Sequence, residues 1–119
     1  MKVSIAERRK APRVPVDFEV KYRVIRGKTQ GDEYLKVKAK NLSQYGICIF
    51  TPQQLREGDI LHINFMVECR EIDAFCAVIW SDELKDYYEA GLEFDFLNHY
   101  DSIFLIQYMK KTLEKFGVL

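Results

Sequence analysis

The chain has 119 residues, 48% of them apolar and 30% charged, with only six glycines and three prolines; this is enough for one domain with a real core and excludes a disordered or collagen-like chain. Formal net charge is zero, yet residues 1 to 28 hold nine lysines and arginines against three acids and the remainder is correspondingly acidic, which argues for a local anion site rather than a surface coated for long nucleic acids. No window approaches the roughly 18 apolar residues of a membrane helix, and the N-terminus MKVSIAERRK lacks the apolar stretch of a signal peptide. A cytoplasmic protein without membrane insertion is therefore expected.

Taken in order, the chain begins with a basic segment, Arg8-Arg9-Lys10-Ala11-Pro12-Arg13. Pro12 and Pro15 bias the residues before them away from helix, so residues 1–13 are expected to form an extended arm that is loose until a ligand arrives. Val14, Val16, Phe18, Val20, Tyr22 and Val24 then alternate with polar residues, the period of a half-buried strand. A Gly27 to Asp32 turn follows, and Leu35, Val37 and Ala39 alternate with three lysines in a second strand. A turn centred on Thr29 and Gln30 pairs residues whose numbers sum to about 59, which sets Val20 opposite Ala39 and Arg13 beside Gly46. On that register the arm meets the polar segment Asn41-Leu42-Ser43-Gln44-Tyr45-Gly46.

Further strands are expected at Ile47 to Thr51, Ile60 to Glu68, Ile72 to Ser81 and Tyr87 to Phe94. Six strands with short connections imply antiparallel pairing, and closure into a barrel over residues 14–95 removes exposed edges. In the last segment Tyr100, Ile103, Ile106, Met109, Leu113 and Phe116 step by three or four. This predicts an amphipathic helix over 98–116, its apolar surface widened by Phe104, Leu105 and Tyr108, capped by Asn98 with Asp101, ended by Gly117 and packed across the barrel. The expected fold is thus mainly β, a six-stranded antiparallel barrel with a C-terminal α-helix, as a single domain over 1–119. Cys48, Cys69 and Cys76 show no CxxC spacing and are read as buried, reduced thiols. With His62 and His99 far from them, neither a metal site nor a cofactor is expected.

The chemistry lies in the two polar segments. Arginine carries a planar fork that donates paired hydrogen bonds to a phosphate or to O6 and N7 of guanine, and its face stacks on rings. Asn41 offers both a donor and an acceptor, Ser43 a hydroxyl of either polarity, and Gly46 a positive φ or a close backbone approach. Alone, each segment reads as a solvated tail or a polar connection. Converging, they suit a small, doubly anionic, purine-bearing ligand.

Arg9-Lys10-Ala11-Pro12-Arg13 and Asn41-Leu42-Ser43-Gln44-Tyr45-Gly46 match RxxxR followed after one hairpin by [D/N]xSxxG, and Ala90-Gly91-Leu92-Glu93-Phe94 resembles a closing strand. In these features the chain resembles the PilZ domain, the bacterial receptor module for cyclic di-GMP. The resemblance implies a six-stranded barrel with a C-terminal helix, an arm that folds over the nucleotide, Arg9 and Arg13 on phosphates and guanines, and Asn41, Ser43 and Gly46 as the opposite wall. Arg8, just before the first motif arginine, resembles family members that take up two stacked cyclic di-GMP molecules. A protein partner is implied, with the chain itself a monomer or weak dimer. Two other readings stand beside this one. A small barrel could bind single-stranded RNA through the arm and Tyr34, Tyr45, Tyr87 and Tyr88, or the chain could be a degenerate family member acting as a protein adaptor. No nucleophile elbow, P-loop or HExxH occurs, so an enzyme is not expected.

Overall fold

The computed structural model describes residues 12–27 and 31–115. Seven strands and one helix follow in order: β1 Val14–Pro15, β2 Glu19–Arg26, β3 Leu35–Leu42, β4 Gly46–Thr51, β5 Ile60–Val67, β6 Arg70–Glu83, β7 Tyr88–Leu97 and α1 His99–Lys115. Around the sheet the strands run β3, β2, β5, β6, β7, β4, each antiparallel to its neighbours, and β4 pairs back onto β3. This is a closed six-stranded barrel. β1 lies outside it, continuing the β2 side of β3 through Val14 opposite Leu42 and Pro15 opposite Asn41.

The alternation read from the sequence sets the two faces. Val20, Tyr22, Val37, Ile49, Ile63, Val78 and Leu92 point inward and are buried, while the polar residues between them face out. Phe18, Phe65 and Phe94 stack in a column, with ring centroids 5.5 and 6.3 Å apart.

Three expectations about the strands and their connections needed correction. The first apolar run is two strands, not one: residues 16–18 leave the ladder, although the Val16 amide still donates to the Lys40 carbonyl (3.0 Å) and the Ala39 amide to that of Phe18 (3.0 Å). With Val16 N–H turned toward β3, Pro15, which has none, is turned to the outer edge where no bond is lost. The register also slips by two residues, Val20 pairing with Val37 and Tyr22 with Leu35; a shift of two keeps every side chain on its face. The turn residues Thr29 and Gln30 themselves lie outside the described residues. Thirdly, β5 and β6 are joined by Glu68 and Cys69, both at positive φ (48° and 69°), between the paired Val67 and Arg70. Two left-handed residues are the tight hairpin turn that matches strand twist. Cys69 is consequently exposed, whereas Cys48 and Cys76 are buried; all three are free thiols.

α1 starts as the sequence suggests. Asn98 Oδ1 accepts the Tyr100 amide at 2.8 Å, satisfying an orphan donor of the first turn, and its carbonyl accepts the Ser102 amide at 2.9 Å as the first bond of the helix. Asp101 does not join the cap but pairs with Arg70 at 2.9 Å, and the Arg70 guanidinium also lies 5.1 Å from the Phe104 ring centre. The buried stripe is Leu105, Met109 and Leu113, with Phe104 and Tyr108 beside it. Of the wide apolar surface read in the sequence, Tyr100, Ile103 and Ile106 are exposed, so the helix buries the Leu105 side of it. Phe116 and Gly117 fall outside the described residues.

Candidate functional site

The segment after β3 forms a tight turn built on one hydroxyl. Ser43 Oγ accepts the amides of Tyr45 (3.1 Å) and Gly46 (3.2 Å), and the Ser43 amide donates to the Gly46 carbonyl (2.9 Å). Serine suits this place because its short side chain satisfies backbone donors that the turn strands. The Phe94 amide donates to the Tyr45 carbonyl (2.9 Å), which fastens the turn to β7. With its acceptor side so used, the Ser43 hydroxyl keeps its proton to donate outward.

Gly46 serves a different purpose from the one read in the sequence. The glycines with positive φ are Gly27 and Gly58, and Gly46 is not among them. A Cβ on Gly46 would lie 2.0 Å from the Leu92 carbonyl oxygen, so glycine is required by the close approach of β4 to β7. A Cβ on Gly91 would meet a side chain instead, 2.2 Å from Trp80 Nε1. The indole therefore lies on bare backbone, half-buried on the outer wall.

Asn41 reaches the same wall through a bulge between Ala39 and Asn41 in the β3–β4 ladder. Ala39 and Leu42 are buried, so the extra residue lets both Lys40 and Asn41 face outward. Arg13, exposed just before β1, completes the group. Arg13, Asn41, Ser43 and Gly46 line one groove on the outer surface of β3, β4 and β7, together with Tyr45, Cys48, Trp80, Gly91 and Glu93. The structure thus brings together four of the six residues singled out in the sequence. Arg8 and Arg9 lie outside the described residues.

Charges around the groove are partly compensated. Lys40 pairs with Glu89, and that hydrogen bond raises the lysine pKa above its usual value. Cys48 Sγ lies 3.6 Å from Glu89 Oε1. Burial first, and then the Glu89 charge, push the thiol up to about 12, so it is a neutral thiol at the groove floor. No carboxylate is paired with Arg13 among the described residues, leaving a guanidinium that can bind an anion.

Cys48, Gly91 and Glu93 were not anticipated as groove residues. Cys48 lies opposite Gly91, and Gly46 opposite Glu93, relationships that exist only once β4 and β7, far apart in sequence, are paired. The tyrosines that suggested an RNA platform are dispersed. Tyr34 has its hydroxyl 2.6 Å from His62 Nδ1, Tyr87 meets Phe50 edge-on at 5.5 Å, Tyr88 is half-buried, and only Tyr45 lines the groove.

The PilZ domain family model matches residues 7–111. A search of curated proteins gives no match in sequence. Among solved structures the chain is similar to the Bacillus subtilis inhibitor of motility MotI/DgrA (TM-score 0.74, 16% identity, 97% of this chain and 54% of that one). It is also similar to MrkH of K. pneumonia, solved as a c-di-GMP complex (0.66, 16%, 91% and 53%). A third similar structure is the PilZ domain of YcgR from Escherichia coli, solved with c-di-GMP (0.65, 14%, 94% and 99%). The chain spans about half the length of the MotI/DgrA and MrkH chains and nearly the whole of the YcgR domain.

Proposed function

The chain belongs to the PilZ domain family, and on that premise we propose that it is a receptor for cyclic di-GMP rather than a catalyst. The observation that carries this reading is the meeting of Arg13 with Asn41, Ser43 and Gly46 in one outward groove, the two halves of the family motif made adjacent by the barrel. Two of the similar structures, MrkH and the YcgR domain, are complexes with c-di-GMP.

In this reading Arg13 and Arg9 take the phosphates and the O6 and N7 edge of guanine, each through the planar fork of a guanidinium. Ser43 donates its remaining proton, and Asn41 offers its amide from the opposite wall. The arm containing Arg8 and Arg9 closes over the ligand, and the ordered arm presents a new surface to a protein partner; such a switch works because the ligand binds the closed state more tightly. Arg8 admits a second, stacked dinucleotide by offsetting the repulsion among four phosphate charges.

Calorimetric titration with cyclic di-GMP tests the reading. The wild-type protein is expected to bind, with a stoichiometry of two if Arg8 acts as described. Arg9→Ala and Arg13→Ala are each expected to abolish binding, and Arg13→Ala to leave the apo thermal midpoint unchanged because its side chain is exposed. Undiminished binding by both variants would overturn the assignment.

A further inference from the structure

The side of the barrel away from β3 and β4 carries an aromatic strip. One transverse row crosses four neighbouring strands: Arg23 on β2 lies opposite His62 on β5, His62 opposite Phe75 on β6, and Phe75 opposite Phe96 on β7. Tyr34, just before β3, extends the row, its ring edge-on to His62 and its centre 5.6 Å from the Arg23 guanidinium. Ring centres lie 5.3 Å apart from His62 to Phe75 and 6.3 Å from Phe75 to Phe96. Tyr34, Phe75 and Phe96 are exposed, Phe96 to 65%.

A bulge puts Phe96 outside. Phe75 pairs with Phe96 but Cys76 with Phe94, so Asp95 is an extra residue in β7. Residues two apart on a regular strand share a face; the extra residue lets Phe94 join the internal column while Phe96 turns out to solvent. The polar atoms of the row are meanwhile used within it. The Tyr34 hydroxyl lies 2.6 Å from His62 Nδ1, and His62 Nε2 lies 3.0 Å from Asp73 Oδ1. What the strip offers outward is therefore ring surface. Its rings are inclined to one another by 49° to 83°, which suits interlocking side chains better than a stack of parallel bases.

Charge identifies the occupant. The β2–β3 end is basic, with Arg23 in the row and the exposed Lys21 and Lys36 opposite each other beside it. The β6–β7 end carries the exposed carboxylates of Asp73 and Asp95, which oppose a nucleic-acid backbone. A strip whose two ends differ in sign complements itself when turned end for end. We propose that this strip is the contact between two copies of the chain, related by a two-fold axis lying in the contact plane and running along the strands between β5 and β6. That operation lays Arg23 against the partner's Phe96 and the partner's Asp95, and His62 against the partner's Phe75, with each contact made twice. The ligand groove lies on the β3, β4 and β7 side, so the dimer stands independently of the receptor reading.

The test is sedimentation equilibrium of the full chain over rising concentration, with thermal midpoints taken where the wild type is monomeric. Wild type is expected to dimerise, less strongly as salt rises. Phe96→Ser is expected to raise the dissociation constant about a hundredfold, because a buried ring is lost twice, and to leave the midpoint unchanged. Arg23→Glu and Asp95→Lys should each be monomeric alone, and an equimolar mixture of the two should dimerise again, which a purely structural role for either residue does not produce. Phe96→Ser, at an exposed position, keeps the test decisive if Arg23→Glu fails to fold. A wild type that stays monomeric at every concentration overturns the proposal. So does a dimer as tight in Phe96→Ser as in wild type, or a monomer that binds a single-stranded oligonucleotide through Phe96.

Discussion

The hydroxyls of Tyr22 and Thr51 meet at 2.6 Å inside the barrel, joining β2 to β4 across the lumen although β3 separates the two strands in the sheet. The Tyr22 hydroxyl also donates to Gln53 Oε1 at 2.9 Å, and Thr51 Oγ1 accepts the Gln53 amide at 3.1 Å. A small buried network therefore holds the chain leaving β4 against β2. Tyr22→Phe removes the central hydroxyl and strands its partners, which should cost about 1 to 2 kcal/mol. Thermal unfolding is expected to show a midpoint several degrees lower, with cyclic di-GMP affinity unchanged because the network faces the lumen and the groove lies outside.

Two motif residues that look equivalent in sequence should behave differently when replaced. Asn41 makes no side-chain hydrogen bond among the described residues, so Asn41→Ala should leave stability within about 0.5 kcal/mol while weakening cyclic di-GMP binding. Ser43 Oγ accepts two turn amides, so Ser43→Ala should lose about 1 kcal/mol of stability as well as affinity. Paired denaturation and calorimetry on the two variants separate these roles; equal stability losses would contradict the turn geometry.

Gly46→Ala is the most damaging single change in the motif. Its methyl carbon would sit 2.0 Å from the backbone oxygen of Leu92, with the Leu92 carbonyl carbon at 3.0 Å and Glu93 Cα at 3.2 Å. Backbone on both sides leaves nothing flexible to yield, so β4 must part from β7 at the groove. The expected cost is about 3 kcal/mol or more, read as a large fall in the urea midpoint. Loss of ligand binding in this variant would report the broken strand pair and not a lost contact.

The barrel was legible because period-2 alternation survives small errors: a register slip of two residues exchanges Val20's partner from Ala39 to Val37 without moving any side chain to the wrong face. The same tolerance let Arg13 and the Asn41 to Gly46 turn be placed together. What escaped were features set by long-range pairing or by strain. Nothing local marks Glu68 and Cys69 as a left-handed turn, since neither is glycine or asparagine. Glu93 becomes a groove residue only through β4–β7 pairing. The apolar stripe of α1 was read wider than the face it buries because apolar residues surround the helix on several sides, and only contact with the barrel selects Leu105, Met109 and Leu113.

The three thiols should separate cleanly in reactivity. Cys69 is exposed at its hairpin turn, while Cys48 and Cys76 are buried, so a thiol reagent at neutral pH is expected to modify one cysteine per native chain and all three only after unfolding. Burial raises the pKa of Cys48 from 9.0 to about 12 and that of Cys76 well above 9.0; Tyr22, also raised by burial, starts from 10.0. In each case the folded state keeps its proton where the unfolded chain has released it. Above pH 9 the unfolded state therefore binds fewer protons, and stability falls as pH rises. The contribution of Cys48 is complete below pH 9 and is lost progressively as pH climbs toward about 12. Urea midpoints measured from pH 8 to 10.5 should decline, and more shallowly in Cys48→Ser, whose hydroxyl does not titrate in this range. A midpoint that stays level across the window, or a wild-type slope equal to that of Cys48→Ser, would contradict a thiol held neutral at the groove floor.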